Sequence, residues 1–385
     1  MKILYIFNRG EIGGATKAML NSIVGLNQEE FEPIIISPNK TGFVSNFCKS
    51  NNLKFIYIKY FELGYAFNEF NFKKLVKFLL LPLLFILNKL FNYVSYKKLT
   101  KLIDLDSVDC IHTNTNRDDF GIFISKKKNI KHILHLREFD KDFFNIKYLK
   151  RNVYKYFDCN TDCFIAVSEA VKDYYSNKGI SKDKIRVIYD GIDIDKILKK
   201  DTLNDNKYRI VMLSNIAENK GQIQLIEAIN MMPTEVKNKI SVDFYGTGST
   251  NYISFLKKIV EKYSLNNQII FKGYQQNVYE VLKDYDIGVT LSKVEGFGLV
   301  TVEYMAAGLC TIVSDTGANK EIINDKIDGL IYRYNDYNDL KEKILQVVNN
   351  PLFANKIVQN AQIKIKNFSK EENVNNIQKT YKEII

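Results

Sequence analysis

Two doubly wound α/β domains, each Rossmann-like, are predicted for this 385-residue chain, on three observations. Apolar runs of strand length alternate with longer stretches of helical period, the mark of parallel βαβ units. The alternation runs through twice, with a polar break near residue 200. The length suits two domains at about 100–200 residues each.

The first strand is residues 2–7 (KILYIF), a run too short and too soon followed by polar residues to be a signal peptide. Gly13-Gly14 opens a helix whose Met19, Leu20, Ile23, Val24 and Leu26 share one face. Residues 32–37 (EPIIIS) are the next strand, and apolar runs at 53–58, 108–112, 131–136, 163–167 and 185–189 continue the series. A second series starts near 208 with YRIVMLS, ISVDFYG, QIIFKG, DIGVTLS and CTIVSD. Asp190-Gly191-Ile192-Asp193 and the polar stretch to Asn206 mark a hinge, so domains are expected at 1–190 and 191–365. In residues 366–385, Val374, Ile377, Tyr381 and Ile384 fall at helical spacing, and this helix is expected to pack back on the first domain. Ligands of such sheets bind at the carboxyl ends of strands near the topological switch point. Two sheets facing an interdomain cleft would put every strand-following loop within reach of a ligand.

Residues 72–103 break the alternation. Phe78 to Leu87 is an unbroken apolar run of ten with Pro82 inside it, collared by Lys73, Lys74 and Lys77 before it and Lys89, Lys97, Lys98 and Lys101 after it. A membrane-spanning helix needs about 20 apolar residues, so this run does not span. A helix lying in the headgroup plane fits better than a core helix with a solvated collar, because the basic excess falls in the same domain. Residues 1–190 hold 30 Lys and Arg against 20 Asp and Glu, while the rest of the chain holds 25 against 24. One lobe therefore faces an anionic partner. Nucleic acid is disfavoured, since no recognition motif accompanies the charge and the apolar run favours lipid.

The cysteines, Cys48, Cys110, Cys159, Cys163 and Cys310, are odd in number and scattered, which excludes a disulfide framework and points to reduced thiols in a cytosolic protein. Cys159 and Cys163 are spaced to share a helix face, but no histidine or second cysteine pair stands nearby at metal-ligand spacing, so no metal site is expected.

The most specific segment is 292–308, SKVEGFGLVTVEYMAAG, in which seven residues separate Glu295 from Glu303. Glu295 ends a loop after a strand. Gly296 and Gly298 allow a sharp turn and close backbone approach to a ligand. A helix beginning near Leu299 offers free N–H groups to an anion, and Glu303 lies about one turn inside it. Such a segment can hold a phosphate on amides and sugar hydroxyls on carboxylates; the plainer alternative is an acidic residue at an ordinary helix start.

This segment resembles the Glu-x7-Glu motif of glycosyltransferase family 4, whose fold is GT-B. Gly13-Gly14-Ala15 resembles that family's N-terminal glycine loop. His112-Thr113-Asn114 and His135-Leu136-Arg137-Glu138-Phe139 resemble its strand-end motifs. Val167-Ser168-Glu169, the Asp190–Asp193 hinge, Tyr245-Gly246-Thr247-Gly248, Phe271-Lys272-Gly273 and Ser314-Asp315-Thr316-Gly317 with Glu321 follow in the expected order. The likeness spans nearly the whole chain.

It implies a retaining, metal-independent hexosyltransferase that needs no cofactor, taking its sugar from a nucleotide-diphosphate donor. Glu303 would hold the ribose, Glu295 the donor sugar, and backbone amides from Gly296, Phe297, Gly298 and Leu299 the sugar and diphosphate. Lys220, in Glu218-Asn219-Lys220-Gly221, would pair with the diphosphate and stabilise the leaving group's growing charge. Gly13, Gly14, Asn215, Gly246 and Gly273 would line the donor site, and His135, near the donor sugar, would join Glu295 and Lys220 as a catalytic residue. His112, Asn114, Arg137 and Glu138 would serve the acceptor, with a surface pairing of Arg137 and Glu138 as the alternative. The family usually has Gly-Arg before that lysine; here Ser214-Asn215 stands there, which removes a charge-assisted phosphate contact from position 215 unless Arg9, Lys17 or another cation replaces it. The expected acceptor is a lipid-linked or other saccharide in surface polysaccharide or capsule synthesis, with the protein cytoplasmic and peripheral on the inner face of the plasma membrane. The competing readings are a non-catalytic partner subunit of the same fold and a nucleotide-sugar epimerase. A dehydrogenase is disfavoured because the loop after the first strand lacks Gly-x-Gly-x-x-Gly.

Overall fold

The computed structural model describes residues 1–8, 13–66, 81–140, 145–197, 207–275 and 277–385, with the side chains of Ala66, Leu81 and Pro82 left aside. Arg9, the lysines at 73, 74 and 77, and the start of the apolar run lie outside the described residues. The chain divides into two compact units, Met1–Gly191 with Lys370–Ile385, and Ile192–Ser369.

The first unit opens with β1 (Lys2–Ile6), α1 (Gly14–Gly25), β2 (Glu32–Ser37), α2 (Phe43–Ser50) and β3 (Lys54–Tyr57). β4 (Gly64–Ala66), α3 (Leu81–Leu99), β5 (Cys110–Thr113), α4 (Phe120–Lys128) and β6 (Lys131–Leu136) follow. β7 (Ile146–Tyr148), α5 (Val153–Asn160), β8 (Cys163–Ala166), α6 (Glu169–Asn177) and β9 (Ile185–Val187) complete the run. Seven of these strands form one parallel sheet in the order β3-β2-β1-β5-β6-β8-β9, and β4 pairs antiparallel with β7 beside it. The order reverses between β1 and β5, which places the switch point there. Ile3, Leu4, Tyr5 and Ile6 are all buried, as in a parallel sheet covered on both faces. Cys159 is the penultimate residue of a helix and Cys163 starts a strand, so the two do not share a helix face. Three residues between them carry the chain from one element into the next.

The second unit runs β10 (Tyr208–Leu213), α7 (Gln222–Asn230), β11 (Ile240–Tyr245), α8 (Thr250–Lys262), β12 (Ile269–Gly273), α9 (Val278–Leu282) and β13 (Ile287–Thr290). It continues through α10 (Leu299–Ala306), β14 (Cys310–Ser314), β15 (Leu330–Tyr332), α11 (Tyr337–Asn349) and α12 (Pro351–Lys364). Its parallel sheet has the order β12-β11-β10-β13-β14-β15, with the switch point between β10 and β13. The last helix, α13 (Lys370–Ile384), belongs to the first unit, where Val374, Ile377 and Tyr381 join the core built by β1 and α1. Burying side chains of this size contributes about 1.5–3 kcal/mol each.

Helix α3 is inside out. The face it buries is polar except for Leu99 at its end. Asn88 and Asn92 are nearly inaccessible and both donate to Asp119 Oδ1, Asn92 at 3.0 Å, while Ser95 donates to the carbonyl of Lys59. The opposite face carries Leu83, Ile86, Leu90 and Val94, at intervals of three and four residues, each 49–57% exposed. Buried amides are tolerated because each finds an acceptor. The apolar stripe is thus turned outward rather than into the core. No helix among the described residues is long and apolar enough to cross a membrane.

Candidate functional site

The loops at the switch point of the second unit are built on glycine. Gly246, with φ +142°, lies so close to Ser214 that a Cβ would stand 1.9 Å from its carbonyl oxygen. Gly221, φ +84°, ends a 3₁₀ turn over Glu218–Lys220, and a Cβ there would meet the carbonyl of Leu291 at 2.3 Å. Side chains do the rest of the fastening. Gln222 donates to the Ser214 hydroxyl and the Asn215 carbonyl, both at 3.0 Å. Gln224 donates to the Leu291 carbonyl, and the Lys293 amide to that of Asn219. Ser314 and Thr316 both donate to the carbonyl of Ser292.

On this frame Lys220 and Glu295 meet as an ion pair of 2.6 Å, with the Ser292 hydroxyl also donating to the same carboxylate oxygen at 2.6 Å. Both side chains keep about a fifth of their surface in solvent. Gly298, φ +99°, starts α10 with no side-chain cap and no acid in the first turn, so its leading N–H groups are not answered by a local carboxylate. Phe297 is buried against Phe368, which anchors the turn. Glu303 is nearly buried inside α10 and hydrogen-bonds Tyr279 of α9, whose hydroxyl is pushed up by burial first and by that carboxylate second. Asn215 is exposed and uncharged at the end of β10, while Gly273 has open space around it. Ser292, Tyr279 and Gln224 were not singled out in the sequence. They are scattered polar residues whose relevance depends on which loop each one meets.

In the first unit the switch point is spanned by Asn114. Its amide donates to the Ala15 carbonyl in the glycine-loop segment, and its Oδ1 accepts from Arg137 Nε at 2.8 Å. Gly13, extended and with room for a side chain, caps α1, in which Gly14 is the first residue. Arg137 and Glu138 do not pair with each other at the surface. Arg137 is buried and bidentate to Asp190 at 2.8 Å through Nη1, while Glu138 pairs with Arg117 at 2.7 Å. Both residues lie just beyond the end of β6, where the loop turns each toward a different partner. His112 and His135 are inaccessible, stack at 5.3 Å and hydrogen-bond each other at 3.2 Å. Burial, and secondarily the charge of Arg137, holds both imidazoles well below their ordinary pKa. Among the described residues no cluster of three or more potential metal ligands occurs.

Two family models match. "Glycosyl transferases group 1" covers residues 193–364 and "Glycosyltransferase Family 4" covers 12–196. An uncharacterized glycosyltransferase of Methanocaldococcus jannaschii is 28% identical over 294 residues, 75% of this chain and 80% of its own. The N,N'-diacetylbacillosaminyl-diphospho-undecaprenol alpha-1,3-N-acetylgalactosaminyltransferase of Campylobacter jejuni is 25% identical, covering 70% of this chain and 75% of its own. The Anabaena protein HepE, solved in complex with UDP-glucose, superposes with a TM-score of 0.80 at 19% identity over the full length of both chains, a likeness of fold. With the two matches meeting end to end across both units, the chain belongs to the family 4 glycosyltransferases of GT-B fold.

Proposed function

We propose that this glycosyltransferase transfers a hexose-type sugar from a UDP-sugar to a lipid-linked saccharide, with retention of configuration and without a metal, in surface polysaccharide synthesis. The observation that carries the reading is the Lys220–Glu295 pair, set beside the uncapped start of α10 and Glu303 on one loop frame. A diphosphate competes with Glu295 for Lys220. As it takes the lysine, the carboxylate is released for the sugar hydroxyls. Charge growing on the departing diphosphate is met by Lys220 and by helix N–H groups that need no reorganisation. Glu303, one turn further in, receives the ribose. His135, Gly13, Gly14, Gly246 and Gly273 keep the roles that the family likeness implies. Arg137 enters as the residue that ties Asn114 to Asp190 behind the acceptor loops.

The lipid-linked acceptor is supported by the name of the Campylobacter relative and by α3. An outward apolar face with Lys89, Lys97 and Lys98 on the same helix suits an anionic bilayer surface, and the protein then works peripherally on the inner face of the plasma membrane. One observation favours a second reading, a non-catalytic subunit. Position 215 carries no cation where the family usually has one. A panel of nucleotide sugars read by thermal shift decides between them, since a ligand at 100 times its Kd stabilises by about 2.7 kcal/mol. Stabilisation by a UDP-sugar, followed by a product whose proton NMR shows the donor's anomeric configuration, is expected. An inverted anomer would overturn the retaining mechanism, and no response to any nucleotide sugar would favour the non-catalytic subunit.

A further inference from the structure

Four buried rings of the first unit stand in one hydrogen-bonded line. The Tyr5 hydroxyl on β1 lies 2.7 Å from that of Tyr381 on α13. Tyr381 lies 2.6 Å from His112 Nδ1 on β5, and His112 Nε2 lies 3.2 Å from His135 Nδ1 on β6. All four are at most 1% exposed. The line ends at His135 Nε2, which is buried and has no partner among the described residues.

The direction of the protons follows from what each group is able to do. Arg137 has only donors, and its Nη2 stands 3.5 Å from His135 Nδ1. A proton on that nitrogen would point at a guanidinium, so Nδ1 is the bare lone pair. His112 Nε2 then donates to it, which leaves His112 Nδ1 bare to accept from Tyr381, whose oxygen accepts from Tyr5. In the reverse order the Tyr5 proton has no acceptor among the described residues, and His135 directs an N–H at Arg137. A charged His135 would set an N–H against the guanidinium, and a charged His112 would donate to Tyr381 and leave a tyrosine proton with no acceptor among the described residues.

We infer that Tyr381, through His112, is a positioning residue that holds His135 as a neutral Nε2–H tautomer, whose open position offers a hydrogen bond to a ligand oxygen and has no lone pair with which to take a proton. The C-terminal helix thereby sets the chemistry of a residue at the carboxyl end of β6, the end at which such sheets bind ligands. The role of that donor in transfer rests on the glycosyltransferase reading above; the proton order does not. The groups that face the pair are Arg137 from the loop after β6, held by Asp190, together with Tyr381 from α13 and Tyr5 from β1. His132 lies on the other face of β6, bonded to Thr113 and Thr161.

The chain has three histidines, so long-range ¹H–¹⁵N spectra of the full protein labelled at histidine resolve every ring, with His132→Asn identifying one of them. Neutral Nε2–H forms are expected for both His112 and His135 at pH 7, persisting to about pH 5, where an ordinary histidine is charged. Tyr381→Phe removes the donor to His112 Nδ1 and is expected to bring the second tautomer into the His135 signal. Tyr5→Phe leaves Tyr381 donating to His112 and should preserve both tautomers. A His135 protonated at Nδ1 or at both nitrogens at pH 7 overturns the inference in the parent protein, whatever the variants do. If instead the tautomers are as stated and no sugar is transferred, the proton order stands and the functional reading fails.

Discussion

Lys220 Nζ and Glu295 Oε1 are 2.6 Å apart, joining the turn after β10 to the loop after β13 across the switch point of the second sheet. The pair holds both groups in place before a donor arrives, and it sets opposite signs for two substitutions. Lys220→Met should weaken UDP binding by about 1.5–3 kcal/mol, the loss of a charged hydrogen bond. Glu295→Gln should leave UDP binding unchanged or a few-fold tighter, because the lysine loses its competitor, while transfer from the UDP-sugar falls. Titration calorimetry with UDP checks both, and weaker UDP binding by Glu295→Gln would show that the carboxylate does not compete with phosphate.

Glu303→Ala is expected to reduce UDP affinity by a similar amount, about 1.5–3 kcal/mol, through lost ribose contacts. It also strips Tyr279 of its acceptor, so some of the effect will show as lower stability. Measuring Tm beside the calorimetric Kd separates the two. Unchanged affinity in a folded protein would move the nucleotide away from α10.

The exposed stripe of α3 predicts membrane attachment that is separable from folding. Leu83, Ile86, Leu90 and Val94 are half in solvent already, so changing the first three to Ser should alter stability by no more than about 0.5 kcal/mol each. Flotation with vesicles containing anionic lipid should be lost in that variant and should weaken with salt in the parent. Equal flotation by parent and variant would assign the basic first unit to another partner.

Asp190→Asn tests the buried pair with Arg137. Both side chains are about 5% exposed, and removing one charge strands the other, at a cost of about 3–5 kcal/mol. Urea unfolding should show that loss even though residue 190 sits at the junction between the units. A change below about 1 kcal/mol would mean that the guanidinium finds another acceptor, or water.

Acid should destabilise the first unit earlier than its carboxylates alone would. Burial lowers His132 to about 3 and holds His112 and His135 well below 6.5. The unfolded chain therefore binds protons that the folded chain refuses. Their stabilising effect is complete above the unfolded value near 6.5 and is lost as pH falls toward the folded values, by up to about 1.4 kcal/mol per pH unit for each histidine. Urea midpoints between pH 7 and 5 should fall, and His132→Gln should flatten the slope. A flat profile in the parent would mean that the imidazoles charge in place.

Both sheets and the loop carrying Glu295 and Glu303 were readable because strand period, helix period and glycine turns are short-range properties of the chain. Boundaries of strands such as β2 and β6 agree to the residue for the same reason. The short strands β4, β7 and β15 were not readable, whereas β9, equally short, was read because it begins a longer apolar run at 185–189.

Partner choice lay beyond local pattern. The apolar spacing of α3 announced an amphipathic helix, yet its rotation depended on Asp119, which offers buried acceptors to Asn88 and Asn92. Adjacent charges at 137 and 138 left acceptor binding and mutual pairing both open until the fold supplied Asp190 to one and Arg117 to the other. Tyr381 reaches His112 across 269 residues of chain. A backbone sets its own periodicity within a few residues, but a buried polar atom is satisfied by whatever the fold brings to it. The two-sheet architecture was therefore written in the pattern of residues, and the wiring of Arg137, His135 and α3 arose only when the sheet closed around them.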